Sequence, residues 1–234
     1  MTDIQFFMVG GAVRDEIMGQ PSKDIDFSVI APSFDDVLEA VHNAGMKVVQ
    51  VKPEFGTIRA VARKPFMGHT GGLDFVWARI DGPSSDGRRP DWTKPGALMD
   101  DLARRDFTMN AIAKDQQGSI IDPFNGQADI EAKLIRAVGN AQERLSEDAL
   151  RGLRAIRFAV TKGFWIHFEA RDFVATRTFA ELLSSVSKER QREEMEKMFA
   201  HDTVASLKWL ERFPLVREVV FSDGLRLSAT MRQD

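Results

Sequence analysis

Val9-Gly10-Gly11-Ala12-Val13-Arg14-Asp15, followed by Asp24-Ile25-Asp26, is the stretch on which the fold turns. The apolar run Ile4 to Val9 predicts a strand, the two glycines a tight turn, and Ala12 to Met18 the first turns of a helix. Glycine has no Cβ, so its backbone N–H can approach a phosphate closely, and a helix N-terminus adds positive potential there. Arg14 sits one turn into the helix and has the fork geometry for phosphate oxygens. Asp24 to Ile30 predicts the next strand, along which alternation sets Asp24 and Asp26 on the same face. Two carboxylates on one rigid edge suit a Mg²⁺ pair for phosphoryl or nucleotidyl transfer.

Alone, the glycine pair is only a turn and the Asp-x-Asp only two solvated charges. The ordered composite is more specific: strand, Gly-Gly, Arg-Asp on a helix, then paired carboxylates on the next strand. It resembles the catalytic signature of the DNA polymerase β nucleotidyltransferase superfamily, and the Gly-Gly-x-Val-Arg-Asp wording is closest to the class II tRNA nucleotidyltransferase and bacterial poly(A) polymerase branch. That resemblance implies an α+β fold: a polymerase-β-like nucleotidyltransferase head, with a mixed sheet and flanking helices, followed by an all-helical neck.

The bulk properties fit an ordinary globular chain. Its 234 residues allow one large domain or two small ones, with 43% hydrophobic and 29% charged residues. No apolar stretch has the length of a membrane span, and the N-terminus lacks the basic-then-apolar pattern of a leader. Zero cysteines exclude disulfides and thiolate zinc sites, and the expected compartment is the reducing cytoplasm. The net charge of −3 argues against bulk nonspecific nucleic-acid binding, so any RNA contact is expected to be a local patch. A monomer is the default expectation.

Ser33 to Met46 predicts a helix, with Ser33 and Asp36 at capping-box spacing. Val48 to Val51, Thr57 to Arg63 and Leu73 to Arg79 predict strands between Pro and Gly turns. Asp81 to Gly96, rich in Pro and Gly, predicts a long loop, and Leu98 to Arg105 a short helix. Helical periodicity then dominates over Glu147–Thr161, Ala170–Ser184, Lys188–His201 and Thr203–Glu211. The expected boundary lies near residue 140, with a head over 1–139 and a neck over 140–234.

Four further stretches extend the resemblance. Arg104-Arg105-Asp106-Phe107-Thr108-Met109-Asn110-Ala111, which alone is a helix end with basic caps, resembles the family's second motif. The resemblance implies that Arg105, Asp106 and Asn110 hold nucleotide, the aspartate accepting from a ribose hydroxyl while the arginine balances the triphosphate. Asp122 to Asp129 resembles the third motif, otherwise a turn entering a helix. Glu147-Asp148-Ala149-Leu150-Arg151 resembles the fourth. Asp148 and Arg151, at i and i+3, are expected on one helix face. As an exposed ion pair they are worth little. As a reader of bases they are selective: cytosine and adenine each offer an amine donor beside a ring acceptor, which a carboxylate and a guanidinium match, while uracil and guanine reverse that polarity. Arg154 and Arg157 continue the series and resemble further nucleotide-contacting arginines. Ser187 to Lys197, with charges at helical spacing, resembles the fifth motif and is expected to brace the base-reading helix.

Leu73-Asp74-Phe75-Val76 resembles the strand carrying a third acidic residue, where the family more often has glutamate; Asp74 is a candidate helper carboxylate or general base. Ser85 to Pro90 resembles the family's flexible loop. The implied activity is Mg²⁺-dependent, template-independent addition of CCA to tRNA 3′ ends from CTP and ATP. Asp24 and Asp26 would be ligands to two metal ions, and Gly10, Gly11 and Arg14 would cradle the triphosphate. The implied partner is RNA, not DNA and not membrane. Alternatives are a poly(A) polymerase, a partial CC- or A-adding enzyme, transfer to another acceptor, and a nucleotide- or RNA-binding protein that has lost turnover. Family members continue into further helical body and tail domains, whereas this sequence stops at Asp234.

Overall fold

The computed structural model describes residues 4–22, 24–82 and 92–222. The chain divides into two compact units, Met1–Ala132 and Lys133–Asp234.

The first unit is built on strands β1 (Gln5–Val9), β2 (Ile25–Ile30), β3 (Lys47–Lys52), β4 (Thr57–Phe66) and β5 (His69–Trp77), with helices α1 (Gly11–Ile17) after β1 and α2 (Phe34–Asn43) after β2. A small antiparallel pair follows, β6 (Arg79–Asp81) with β7 (Thr93–Pro95), closing the base of the stretch expected as a loop. The Ser85 to Pro90 motif lies outside the described residues. Helix α3 (Leu98–Ala103), short strands β8 (Ala113–Lys114) and β9 (Ile120–Ile121), and helix α4 (Gly126–Glu131) complete the unit. The main sheet has seven strands in the order β3-β4-β5-β2-β1-β8-β9. Only β2 and β5 run parallel within it; the other pairs are antiparallel.

Period-two alternation explains which side chains are buried. Phe6, Phe27, Phe66 and Phe75 meet on one face with ring centroids 5.1 to 5.9 Å apart. Phenylalanine fills such a cluster without a hydroxyl that would need a partner. The opposite face carries Asp26, Asp74 and Arg59, each less buried than its strand neighbours. Helix α2 starts as its spacing predicts: the Ser33 hydroxyl accepts from the Asp36 N–H at 3.2 Å.

The second unit contains β10 (Leu134–Ile135), α5 (Ala141–Glu147), α6 (Leu150–Lys162), β11 (Trp165–Ile166), α7 (Phe168–Val174), α8 (Arg177–Ser185), α9 (Lys188–His201), α10 (Thr203–Glu211) and α11 (Pro214–Val220). It is helical apart from the parallel pair β10–β11. That pairing draws Leu134 and Ile135 into the second unit, so the division falls ahead of the boundary expected near residue 140. Two expected helices are each two shorter ones. Thr176 interrupts the span 170–184 by accepting from the Phe179 N–H, a side-chain cap that restarts the helix. Asp148, extended at φ −150° and ψ 101°, interrupts the span 147–161. Among the described residues no helix is long and apolar enough to cross a membrane.

Candidate active site

The carboxylates converge because of strand register. Parallel pairing sets Asp26 of β2 opposite Asp74 of β5, and antiparallel pairing sets Arg59 of β4 opposite Asp74. Asp24 lies just ahead of β2 and is exposed. Burial pushes the Asp26 carboxyl up; Arg105 pulls it down, while Asp74 and Asp24 push it further up, for a net rise. Asp74 is also raised, by burial first and by Asp24, against the pull of Arg59, whose Nε stands 3.8 Å from Oδ1. Asp26 and Asp74, both raised with Asp24 close by, have a cost of ionisation that a divalent cation relieves. Among the described residues no group of three or more His, Cys, Asp or Glu is arranged to hold a metal ion by itself. Carboxylate oxygens such as those of Asp24 and Asp26 are the donor type of an open magnesium site, in which one or two carboxylates bind and water or substrate phosphate completes the shell.

Gly10 stands beside this set. Its backbone is left-handed at φ +73°, and a Cβ there would lie 2.5 Å from Nη1 of Arg105. Glycine is required twice over: for the backbone angle and for the guanidinium crossing above it. Arg105 itself is held from below. Asp101, 2% exposed, accepts from Arg105 through Oδ2 (Nη2 at 2.9 Å, Nε at 3.3 Å) and from Arg104 through Oδ1 (Nη2 at 2.6 Å, Nε at 3.0 Å). Burial pushes the Asp101 carboxyl up, but Arg105 and Arg104 outweigh it and hold it below the usual carboxylate range. Sequence reasoning passed over Asp101, although its i+3 and i+4 spacing to the two arginines was a usable signal.

Arg14, expected at the triphosphate, sits between the first and second motifs. It is 5% exposed, its Nε donates to Asp15 Oδ1 at 2.8 Å, and its Nη1 donates to Asn110 Oδ1 at 2.6 Å. These bonds tie the first motif to the second. Asn110 in turn donates to Asp106 Oδ1 at 3.0 Å, and the Phe107 N–H donates to the same oxygen at 2.8 Å. Gly10 N–H donates to Ile112 O at 3.1 Å, a second tie between the motifs. The third motif buttresses the second: the Thr108 hydroxyl donates to Asp129 at 2.6 Å, and a Cβ on Gly126 would collide with Thr108 O.

In the second unit the pair expected to read bases is arranged differently from the helix-face expectation. Asp148 lies between α5 and α6, so it shares no helix face with Arg151. Its Oδ1 accepts from the Leu150 N–H at 3.1 Å, and its Oδ2 accepts from Arg190 Nη2 at 2.8 Å. Arg151 donates to Glu147 at 2.6 Å and to Arg144 O at 2.8 Å. Beside Asp148, Glu147 and Arg190 lies a cavity of about 330 Å³ that Ser185 and Ser187 also line. Arg157, expected to contact nucleotide, sits between α6 and α9. It pairs with Glu194, which is almost buried, and lies 4.0 Å from the Phe158 ring centroid, so it braces α6 on α9. Arg154, more exposed, reaches the same carboxylate at 3.6 Å.

The family model described as the poly A polymerase head domain matches residues 6–136. Over 221 residues the chain is 40% identical to the CCA-adding enzyme of Geobacillus thermodenitrificans (strain NG80-2), covering 94% of this chain and 50% of that protein. It is 39% identical over 193 residues to the CCA-adding enzyme of Lactiplantibacillus plantarum, covering 82% and 44%. Among solved structures, the Bacillus stearothermophilus CCA-adding enzyme in complex with CTP aligns with a TM-score of 0.74 at 33% identity, over 98% of this chain and 52% of that one. A tRNA nucleotidyltransferase complexed with a primer tRNA and an incoming ATP analog aligns with a TM-score of 0.76 at 27% identity, over 98% and 63%. The chain spans about half the length of the curated relatives it matches.

Proposed function

The chain belongs to the poly A polymerase head-domain family, and on that premise we propose that it is a template-independent RNA nucleotidyltransferase that builds CCA onto tRNA 3′ ends from CTP and ATP. The observation that carries the reading is the register that sets Asp26 beside Asp74, with Asp24 alongside and Gly10 and Arg105 at its flank. The similarity to CCA-adding enzymes, one of them solved with CTP, supports the choice of nucleotide.

Asp24 and Asp26 would hold Mg²⁺, two ions in our reading; when bound, it supplies neutralising charge at the phosphates and acidity to the attacking hydroxyl. The N–H groups of Gly10 and Gly11 and the Arg105 guanidinium bind the triphosphate. Asp106, fixed by Asn110, orients the ribose. The acceptor's 3′-oxygen attacks the α-phosphorus, the bond to pyrophosphate breaks, and Asp74 takes the hydroxyl proton. Burial raises the proton affinity of the Asp74 carboxylate, which makes its ionised form a stronger base for that task. Asp148 accepts from the amine of cytosine or adenine, and Arg151 donates to the ring acceptor, each exchanging its present partner for the base. Arg154 extends that edge. The zero cysteines fit work in the cytoplasm, and we take the active species to be a monomer that uses RNA.

The test is incubation with Mg²⁺ and each labelled NTP singly, with tRNAs ending before CCA, after C and after CC, and products read at nucleotide resolution. Ordered addition of C, C and A with U and G refused is expected. Long A tails would replace the reading with poly(A) polymerase, and CC or A alone with a partial enzyme. Nucleotide binding without transfer would mean a protein that retains the site without the turnover.

A further inference from the structure

The sheet face that carries the carboxylates also carries a run of cations. Register places Val9, Asp26, Asp74, Arg59 and Gln50 in one row across β1, β2, β5, β4 and β3. Lys52 stands opposite Thr57 on one side of that row, and Lys47 opposite Val61 on the other. Ala60 and Ala62 are buried on the other face, so alternation along β4 sets Arg63 on the face of Arg59, next to the register irregularity that follows Ala62. Lys47, Lys52, Arg59 and Arg63 are all exposed, and neither β3 nor β4 contains an aspartate or glutamate. In a chain of net charge −3 this is a local inversion of sign. Among the described residues no carboxylate is ion-paired with Lys47, Lys52 or Arg63. With strands about 4.8 Å apart, β3 lies roughly 10 Å from β5, within about one screening length of the carboxylates.

The row also has a direction. Gly10, which continues β1 past Val9, sits with Arg105 on one flank of Asp26, and the cations lie on the other. Displacement at phosphorus is in line, so nucleophile and leaving pyrophosphate must come from opposite sides. With the triphosphate on the β1 flank, the acceptor is left the β5–β4–β3 flank. We propose that the β3–β4 face is the track for the acceptor strand, its sugar-phosphate backbone neutralised by Lys47, Lys52, Arg59 and Arg63 as the 3′-hydroxyl reaches Asp26 and Asp74. This rests on the reading of the protein as an RNA nucleotidyltransferase. A single-stranded RNA end is the partner because cations at strand spacing on an exposed sheet follow a backbone without reading its sequence.

Lys47→Gln and Arg63→Gln, separately and together, test the track, because both residues stand apart from the proposed catalytic and triphosphate groups. Affinity for a fluorescent RNA hairpin with a single-stranded 3′ end is measured by anisotropy across a salt series, alongside KM for CTP at saturating acceptor. The double variant is expected to bind the hairpin about tenfold more weakly and to flatten the slope of log affinity against log salt by roughly 1.4, about 0.7 per cation removed. KM for CTP should stay within about twofold of wild type, as expected when ground-state contacts to the nucleotide are untouched. Unchanged hairpin affinity and slope, with wild type active, would overturn the track and spare the function. Hairpin binding that loses its slope in the variants, in a wild type that transfers nothing, would overturn the function and spare the track. A unfolding midpoint equal to that of wild type confirms that the variants fold.

Discussion

Asp101 shows how much of the site depends on a residue that would touch no substrate. Its four accepted hydrogen bonds come from two guanidiniums, and one of these crosses Gly10 towards the carboxylates. Asp101→Asn retains the shape and removes the charge. We expect KM for nucleotide to rise about tenfold, because each hydrogen bond to a charged group is worth about 1.5–3 kcal/mol and Arg105 loses its fixed orientation. Stability should fall by about 2–3 kcal/mol at neutral pH on the same ground. The pH dependence has a definite sign. A carboxyl with a lowered folded pKa stabilises above the ordinary aspartate value and loses that contribution as pH falls through the lowered one. The gap in unfolding midpoint between wild type and Asp101→Asn is therefore full at pH 7 and closes on the acid side of the ordinary aspartate pKa. A gap independent of pH would mean that the Asp101 charge is not what holds Arg105.

At the scale of elements, α6 and α9 are joined through one almost buried carboxylate. Glu194 receives Arg157, Arg154 and Lys197. Glu194→Ala leaves Arg157 half-buried without this partner, which costs about 3 kcal/mol and lowers the unfolding midpoint by roughly 6–12 °C. Glu194→Gln, which can still accept from Arg157, should lose less; circular dichroism melts separate the two. The sequence made this brace legible because helical spacing groups charges reliably. The strand of Asp26 and the strand of Asp74 were legible for the same kind of reason, as alternation and apolar runs survive in any context. Their adjacency was not, since parallel pairing joins residues far apart in the chain and leaves no local mark. Asp148 was misplaced because periodicity runs through a single extended residue unnoticed. That Arg14 meets Asn110 was not legible either, because an arginine one turn into a helix looks the same in sequence whatever lies opposite it.

For the whole molecule, the carboxylate set trades stability for a task. Asp26 has a raised folded pKa, so its contribution to stability falls as pH climbs from the ordinary aspartate value through the raised one, and at pH 7 its charge opposes folding. In the presence of a chelator, Asp26→Asn should melt above wild type at pH 7, and the difference should vanish on acidification. Added Mg²⁺ should raise the midpoint of wild type, by about 2.7 kcal/mol of stability at a hundred times its Kd, and leave Asp26→Asn where it was. Transfer by that variant should fall at least ~10³-fold, as several kcal/mol of charge stabilisation at the transition state are lost. A variant that melts below wild type in chelator would mean that the charge is already compensated within the protein. The parallel pairing of β2 with β5 has one more consequence. Because Leu73 and Phe75 flank Asp74 and are fully buried, a slip of one residue would push an aspartate into the aromatic cluster and two large apolar side chains into water. A chain whose strand carboxylates were misaligned would thus fail to fold rather than persist as a soluble copy with the set displaced. Folding itself inspects the alignment of the carboxylates, and the cell's proteases, which remove unfolded chains, discard what fails the inspection.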